Sequence, residues 1–283
     1  MSNKRKAIIL MLLSTFSFSL MQLIVKISGK RIPTMEQIFF RNLITLAVSA
    51  ALILKGKALF LGKKENRPAL LARSVFGYIG VAGYFYATRN MNITDASLLH
   101  RSSPFFVIIF SALFLKNRLD RTKIIALIGA FCGAVLIINP SFNMEAFPAF
   151  IAILSAAGAG GAYVVISSLK GKENNATIIF YFSAVSCILS LIIGYGDFIF
   201  PSARDWLALL GIGLFAGLGQ ILLTQAYKMT EPGGISIINY SGIFFSAILG
   251  FIFLQERIGF RTLAGGALIL SAALLLFITK QKK

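Results

Sequence analysis

Ten apolar runs, each near 20 residues long and joined by short polar connections, leave this chain few folds to choose from. A helix needs about 20 mainly apolar residues to cross roughly 30 Å of hydrocarbon. The runs fall at 7–27, 35–54, 69–88, 94–115, 122–139, 147–168, 176–196, 206–227, 233–254 and 262–279. Barrel strands would alternate over about 10 residues, so these lengths predict helices, which satisfy their own backbone polar groups in lipid. With 57% hydrophobic and 13% charged residues among 283, one soluble core could not cover the apolar surface. The expected fold class is an all-α membrane protein of ten transmembrane helices.

A net charge of +18 suggests nucleic acid only if the basic residues line one soluble face. Here they lie in the connections, so no nucleic-acid partner is expected. With the N-terminus inside, nineteen Lys and Arg residues fall on the cytoplasmic side, Arg67 and Arg73 among them, and seven on the other. That bias predicts a multi-pass protein of the cytoplasmic (inner) membrane with both termini cytoplasmic. The run after Lys4, Arg5 and Lys6 imitates a signal peptide but is near spanning length and lacks an Ala-x-Ala cleavage site, so it is expected to remain as span 1. Trp206 and Arg204 fit an outer interface.

Sliding the chain by 139 positions lays Ala87–Arg118 ungapped on Ala226–Arg257, with Ser97/Ser236, Ser102/Ser241, Phe105/Phe244, Phe106/Phe245 and Arg118/Arg257 among the identities. Gly80 and Gly219 also align, and Leu13 with Ser14 resembles Leu154 with Ser155 at a nearly equal offset. The chain reads as a duplication, 1–141 and 142–283. Five helices per half is an odd number, so equivalent helices cross in opposite directions: two inverted five-helix repeats. Many secondary transporters alternate access around a midplane site with this architecture.

Polar groups at membrane depth are costly and mark candidate sites. His100 and Arg101 are adjacent in span 4, with Asn239 and Tyr240 at the equivalent positions of span 9. Neighbours on a helix point about 100° apart, so His100 and Arg101 cannot face the same way. Arg101 offers a permanently charged fork for carboxylate or phosphate, or else bonds backbone carbonyls. Arg41 is a second such cation, unless it pairs with Glu36, an acid near the outer end of span 2. His100, the single histidine, is a proton-binding group or a neutral part of the cavity wall, and one imidazole supplies no zinc site. Tyr84, Gln220 and Gln225 join the candidate substrate-binding set, with Gln22, Tyr86 and Tyr163 as weaker members. Pro104 should kink span 4, as a hinge or as a static feature. Gly129/Gly133, Gly213/Gly217 and the cluster Gly158, Gly160 and Gly161 are expected to serve close helix packing. Cys132 and Cys187 lie in apolar runs and make no disulfide framework.

The stretch Asp95, Ala96, Ser97, Leu98 and Leu99, followed by Ser103, Pro104, Phe105 and Phe106 and ending in Phe114, Leu115, Lys116, Asn117, Arg118 and Leu119, resembles the fourth helix of EamA-type members of the drug/metabolite transporter superfamily. Its second copy ends in Phe253, Leu254, Gln255, Glu256, Arg257 and Ile258, which is closer to the family's usual Glu-Arg turn; the first copy has Asn117 where Glu is expected. Arg41 also matches a recurrent position of that family. The resemblance covers essentially the whole chain. It implies ten helices and a central cavity lined mainly by spans 1, 3, 4, 6, 8 and 9, without naming a substrate.

The expected function is secondary transport, as an exporter or exchanger, of a small polar anionic or zwitterionic metabolite such as an amino acid or derivative. Protons or a counter-substrate would serve as coupling partners, and the lipid bilayer as solvent. No cofactor is expected, since the chain has no P-loop or metal-ligand set. A small-cation multidrug exporter needs a buried acid, and span 1 has none. A membrane-embedded enzyme lacks its usual motifs, HExxH and GxSxG included. A passive channel remains the other alternative.

Overall fold

The computed structural model describes residues 3–56, 58–115, 120–138, 146–169, 171–229, 238 and 240–281. Its α-helices are α1 (Asn3–Ser28), α2 (Thr34–Gly56), α3 (Arg67–Asn90), α4 (Ile93–His100), α5 (Ser103–Leu115), α6 (Arg121–Ile138), α7 (Phe147–Leu169), α8 (Asn175–Ile193), α9 (Ala203–Met229), α10 (Ser241–Leu254) and α11 (Phe260–Gln281). No strand occurs among the described residues. Helix occupies most of the described part of every predicted run, the exceptions including turns at 101–102 and 194–196. Among the described residues, eight segments are long and apolar enough to cross a membrane: most of α1, all of α2, α4 with most of α5, α6, α7, α8, and the greater parts of α9 and α11. The α10 helix is apolar but shorter, and α3, 24 residues long, is less apolar than those eight.

Span 4 is broken rather than kinked. Pro104 has no N–H to give the carbonyl of His100, four residues back, and its ring would clash there if the helix ran on. Accordingly α4 stops at His100, Arg101 and Ser102 form a turn, and α5 restarts at Ser103. Elsewhere the ends follow local chemistry. Pro68 sits in the first turn of α3, where its missing N–H is harmless. Asn174 caps α8 by accepting from the Ala176 N–H at 2.9 Å.

Large apolar side chains point outward, as lipid contact requires: Phe131, Phe150, Leu207 and Phe251 are all exposed. Inside, small residues and hydroxyls let helices approach. One core joins α4, α5, α6, α7, α10 and α11 around Leu98, Leu99, Ala130, Ala134, Ala152 and Ile269. A second joins α1, α2, α3 and α9 around Met21, Val25, Ile38, Tyr78 and Ile212. The most extensive helix contacts pair α3 with α7, α1 with α9, α6 with α11 and α2 with α8. Glycines set the closest approaches: a Cβ on Gly158 would lie 2.7 Å from the Gly80 backbone nitrogen, and one on Gly133 would lie 2.6 Å from the Gly265 carbonyl. The expected packing role therefore holds at these positions. Gly129 is looser, with its nearest neighbour, the Cβ of Ala272, at 3.7 Å.

One end of the bundle is strapped across by polar contacts. Arg31 Nε donates to Asp205 at 2.9 Å, Lys26 Nζ donates to the Met91 carbonyl at 2.6 Å, and the Ile199 N–H donates to Glu36 at 3.2 Å. Glu256 accepts from the Ile93 N–H at 2.9 Å and lies 3.9 Å from Lys26. Gln255, at φ 55°, closes α10 in the left-handed conformation usually left to glycine, and so turns Glu256 back toward α4. At the opposite end Glu173 accepts from the Lys63 N–H and the Asn66 amide.

Burial raises the Glu256 carboxyl above its ordinary value of 4.5, against the opposing pull of the Ile93 N–H and of Lys26. A group with a raised folded-state pKa gives its full stability below the unfolded value and loses it as pH rises through the folded one. Melting of the detergent-solubilised protein should therefore move to lower temperature as pH climbs from 4.5 through that raised value. Glu256→Gln should reduce this slope in a pH series of thermal scans; an unchanged slope would assign it to other groups.

Candidate functional site

The break in span 4 places polar groups where a continuous helix would have hidden its backbone. His100, at the end of α4, stacks on Tyr84 of α3 with ring centroids 4.0 Å apart and planes 14° from parallel. Its Nδ1 lies 2.9 Å from Ser155 Oγ on α7, and that hydroxyl also reaches the Ala152 carbonyl at 2.7 Å. The imidazole is thus clamped between α3 and α7. Arg101 leaves in another direction, as helical spacing requires. Its Nε is 3.4 Å from Ser97 Oγ, and its guanidinium occupies the space that a Cβ on Gly242 of α10 would need.

Around Arg101 runs a chain of hydroxyl contacts. Thr15 and Ser241 hydroxyls are 2.8 Å apart, Ser19 reaches the Gly242 carbonyl at 3.1 Å, and Ser246 donates to Gln22 Oε1 at 2.7 Å. Ser14 donates to the Gly219 carbonyl at 2.7 Å. Tyr240, just before α10, is half-buried, and its hydroxyl is a buried group with no hydrogen-bond partner among the described residues. Such a group in a low-dielectric setting stands ready to bond whatever enters.

Arg41, on α2, belongs to a second part of the interior. It lies with Thr45, Arg73, Ile179, Phe182, Ala216 and Gln220 along a narrow crevice. The structure describes no ion pair between Arg41 and Glu36; Glu36 turns instead to the connection before α9. Arg41 donates to the Asn42 side chain at 3.1 Å. Arg73, counted from sequence with the cytoplasmic basic residues, is carried inward by α3, and its guanidinium carbon stands 4.1 Å from the Phe182 ring centroid. Hydropathy locates a residue along a helix but not the direction its side chain takes, so this residue was missed.

The predicted set therefore divides. His100, Tyr84, Arg101 and Tyr240 gather about the break in span 4, whereas Arg41 and Gln220 line the crevice beside α8. Gln225 is exposed and belongs to neither group. Asn239 lies outside the described residues. Tyr86 packs edge-on against Phe147 at 6.0 Å, a structural contact. Sequence reasoning passed over Ser97, Ser155 and Ser246, because a serine in a transmembrane helix usually bonds its own backbone.

The EamA-like transporter family matches this sequence twice, over residues 5–139 and 146–278. The pseudopaline exporter CntI of Pseudomonas aeruginosa is 36% identical over 280 residues, 98% of each chain. Solute carrier family 35 member G1 of Homo sapiens is 28% identical across 93% of this chain and 76% of its own. An S-adenosylmethionine uptake transporter of Rickettsia bellii is 24% identical across 96% and 93%. A crystal structure with 20% identity superposes with a TM-score of 0.63, covering 96% of both chains, and shares the fold.

Proposed function

From the premise that the chain belongs to the EamA-like transporter family, we propose that it is a secondary transporter of a small polar anionic or zwitterionic metabolite. An amino acid or derivative fits best, and access alternates between two inverted five-helix repeats, 1–141 and 142–283. The protein is a multi-pass membrane protein whose family and relatives transport small molecules. In this reading it resides in the cytoplasmic membrane with both termini inside.

One observation carries the substrate class. Arg101 projects from a broken helix toward Gly242, beside the hydroxyl of Tyr240, which has no hydrogen-bond partner among the described residues. A guanidinium keeps its charge at any physiological pH and presents a planar fork of donors, which favours an anionic ligand group. The restart of α5 at Ser103 adds the positive end of a helix dipole nearby, a device that transporters with discontinuous helices use for anionic groups. His100, held by Tyr84 and Ser155, positions the wall of this cavity.

The contact pattern supports the repeat. Exchanging the halves turns the α1–α9 pair into α7–α3 and maps α2–α8 and α6–α11 onto themselves. In this reading the straps at Lys26, Arg31, Asp205 and Glu256 close the outer side, and transport requires them to part. The test is exchange in liposomes: ligands chosen by thermal-shift screening should equilibrate faster across vesicles holding the purified chain than across empty ones. Tags that put the two termini on opposite sides of the membrane would end the inverted-repeat reading, because five helices per half leave both termini on one side.

A further inference from the structure

The crevice beside α8 holds two arginines whose guanidinium groups are not used up by the protein. Among the described residues, Arg41 Nε and both Nε and Nη1 of Arg73 are buried atoms without a hydrogen-bond partner. No described ion pair involves either residue. Their common neighbour is Phe182, whose ring centroid lies 4.1 Å from the Arg73 guanidinium carbon and 6.0 Å from that of Arg41. An aromatic ring engages a guanidinium through its face. It leaves the in-plane N–H edge free, and that edge makes bidentate contacts to carboxylate. Thr45 and Gln220 line the same crevice and supply polar contacts beside it.

Two buried cations near one another repel, and burying even one without a partner is expensive. A structure that keeps both needs a compensating anion. The space at the crevice is about 20 Å³, room for about one water-sized group rather than a whole metabolite. We propose that Arg41 and Arg73, with Phe182 as the stacking platform, form a receptor for a second anionic group of the substrate, so that the transported molecule carries two separated carboxylates, one held at Arg101 and the other here. The assignment rests on the transport reading above for the role of Arg101. It stands on its own for the binding of an anion at Arg73.

The experiment uses the full-length detergent-solubilised chain and a ladder of unbranched dicarboxylates from succinate to suberate. Monocarboxylates of matching length and inorganic phosphate serve as comparison probes, and the readout is concentration-dependent thermal stabilisation. Dicarboxylates of a preferred length should bind at least about tenfold more tightly than matching monocarboxylates. Arg73→Gln and Arg41→Gln should each erase that advantage while leaving monocarboxylate binding in place. Arg73→Lys, which keeps the charge and loses the fork, should recover part of it. Phe182→Leu guards against misfolding of the arginine variants and should weaken dicarboxylates by several-fold.

Equal binding of mono- and dicarboxylates by the wild-type protein would overturn the proposal. So would an undiminished dicarboxylate advantage in folded Arg73→Gln or Arg73→Lys. Phosphate that matches the best dicarboxylate with the same dependence on Arg73 would assign a single oxyanion to the crevice and overturn the two-carboxylate form. Exchange in liposomes with no dicarboxylate preference would remove this site and leave the transport reading intact, whereas dicarboxylate binding without any exchange would do the reverse.

Discussion

Arg101→Ala should reduce exchange by purified protein in liposomes by about ten- to a hundredfold. A hydrogen bond to a charged partner is worth roughly 1.5–3 kcal/mol, and each 1.4 kcal/mol is a factor of ten. Arg101 is the cation at the break between α4 and α5, where its guanidinium fills the place a side chain on Gly242 would take. Truncation removes the charge and opens space beside Ser97, while the hydroxyl contacts among Thr15, Ser241, Ser246 and Gln22 do not depend on it. The variant should therefore fold. Arg101→Lys should retain part of the rate, because the charge stays and the planar fork is lost. Initial rates measured at equal protein content decide the matter: a wild-type rate in folded Arg101→Ala would take this residue out of the binding site.

A large structural effect is expected at Gly158, whose crossing also frames the site. An added Cβ would meet the Gly80 nitrogen at 2.7 Å and the Phe76 carbonyl at 2.9 Å, both backbone atoms that cannot step aside as a side chain end can. Gly158→Ala should cost about 1–3 kcal/mol, the usual range for overpacking, and Gly158→Val more. The crossing of α3 and α7 also holds Tyr84 against His100 and brings Ser155 to the same imidazole, so exchange should fall along with stability. Gly129→Ala is the control. With its nearest contact at 3.7 Å, it should shift the melting temperature little. Equal destabilisation by the two alanine substitutions would contradict this account of the crossing.

Much of the architecture was legible because lipid imposes simple rules. A run of 20 apolar residues has few alternatives to a helix, and Gly158 and Gly133 could be assigned to packing before any neighbour was known. Pro104 announced a disturbance in span 4. Sequence could not say that the helix would stop outright at His100, since that depends on whether the surroundings satisfy the freed backbone. The division of the polar residues was harder still. Polarity at membrane depth groups Arg41 and Gln220 with His100, yet they face a different crevice. Arg73 lies near the start of α3, where a basic residue ordinarily reaches out to water; only the neighbouring α8 reveals that its side chain turns inward onto Phe182. Gln225 shows the converse, a polar residue at apparent membrane depth that is exposed.

The two crossings α1–α9 and α3–α7 meet at corresponding residues: Ser14 bonds the Gly219 carbonyl, and Ser155 lies alongside Gly80. In the alternating-access reading, a molecule with two such matched bearings has its resting balance written in the small differences between them. One methyl group added at either bearing should then shift that balance without touching a ligand. Adding its counterpart at the other should shift it back, so that the paired change restores an equilibrium that each single change disturbs.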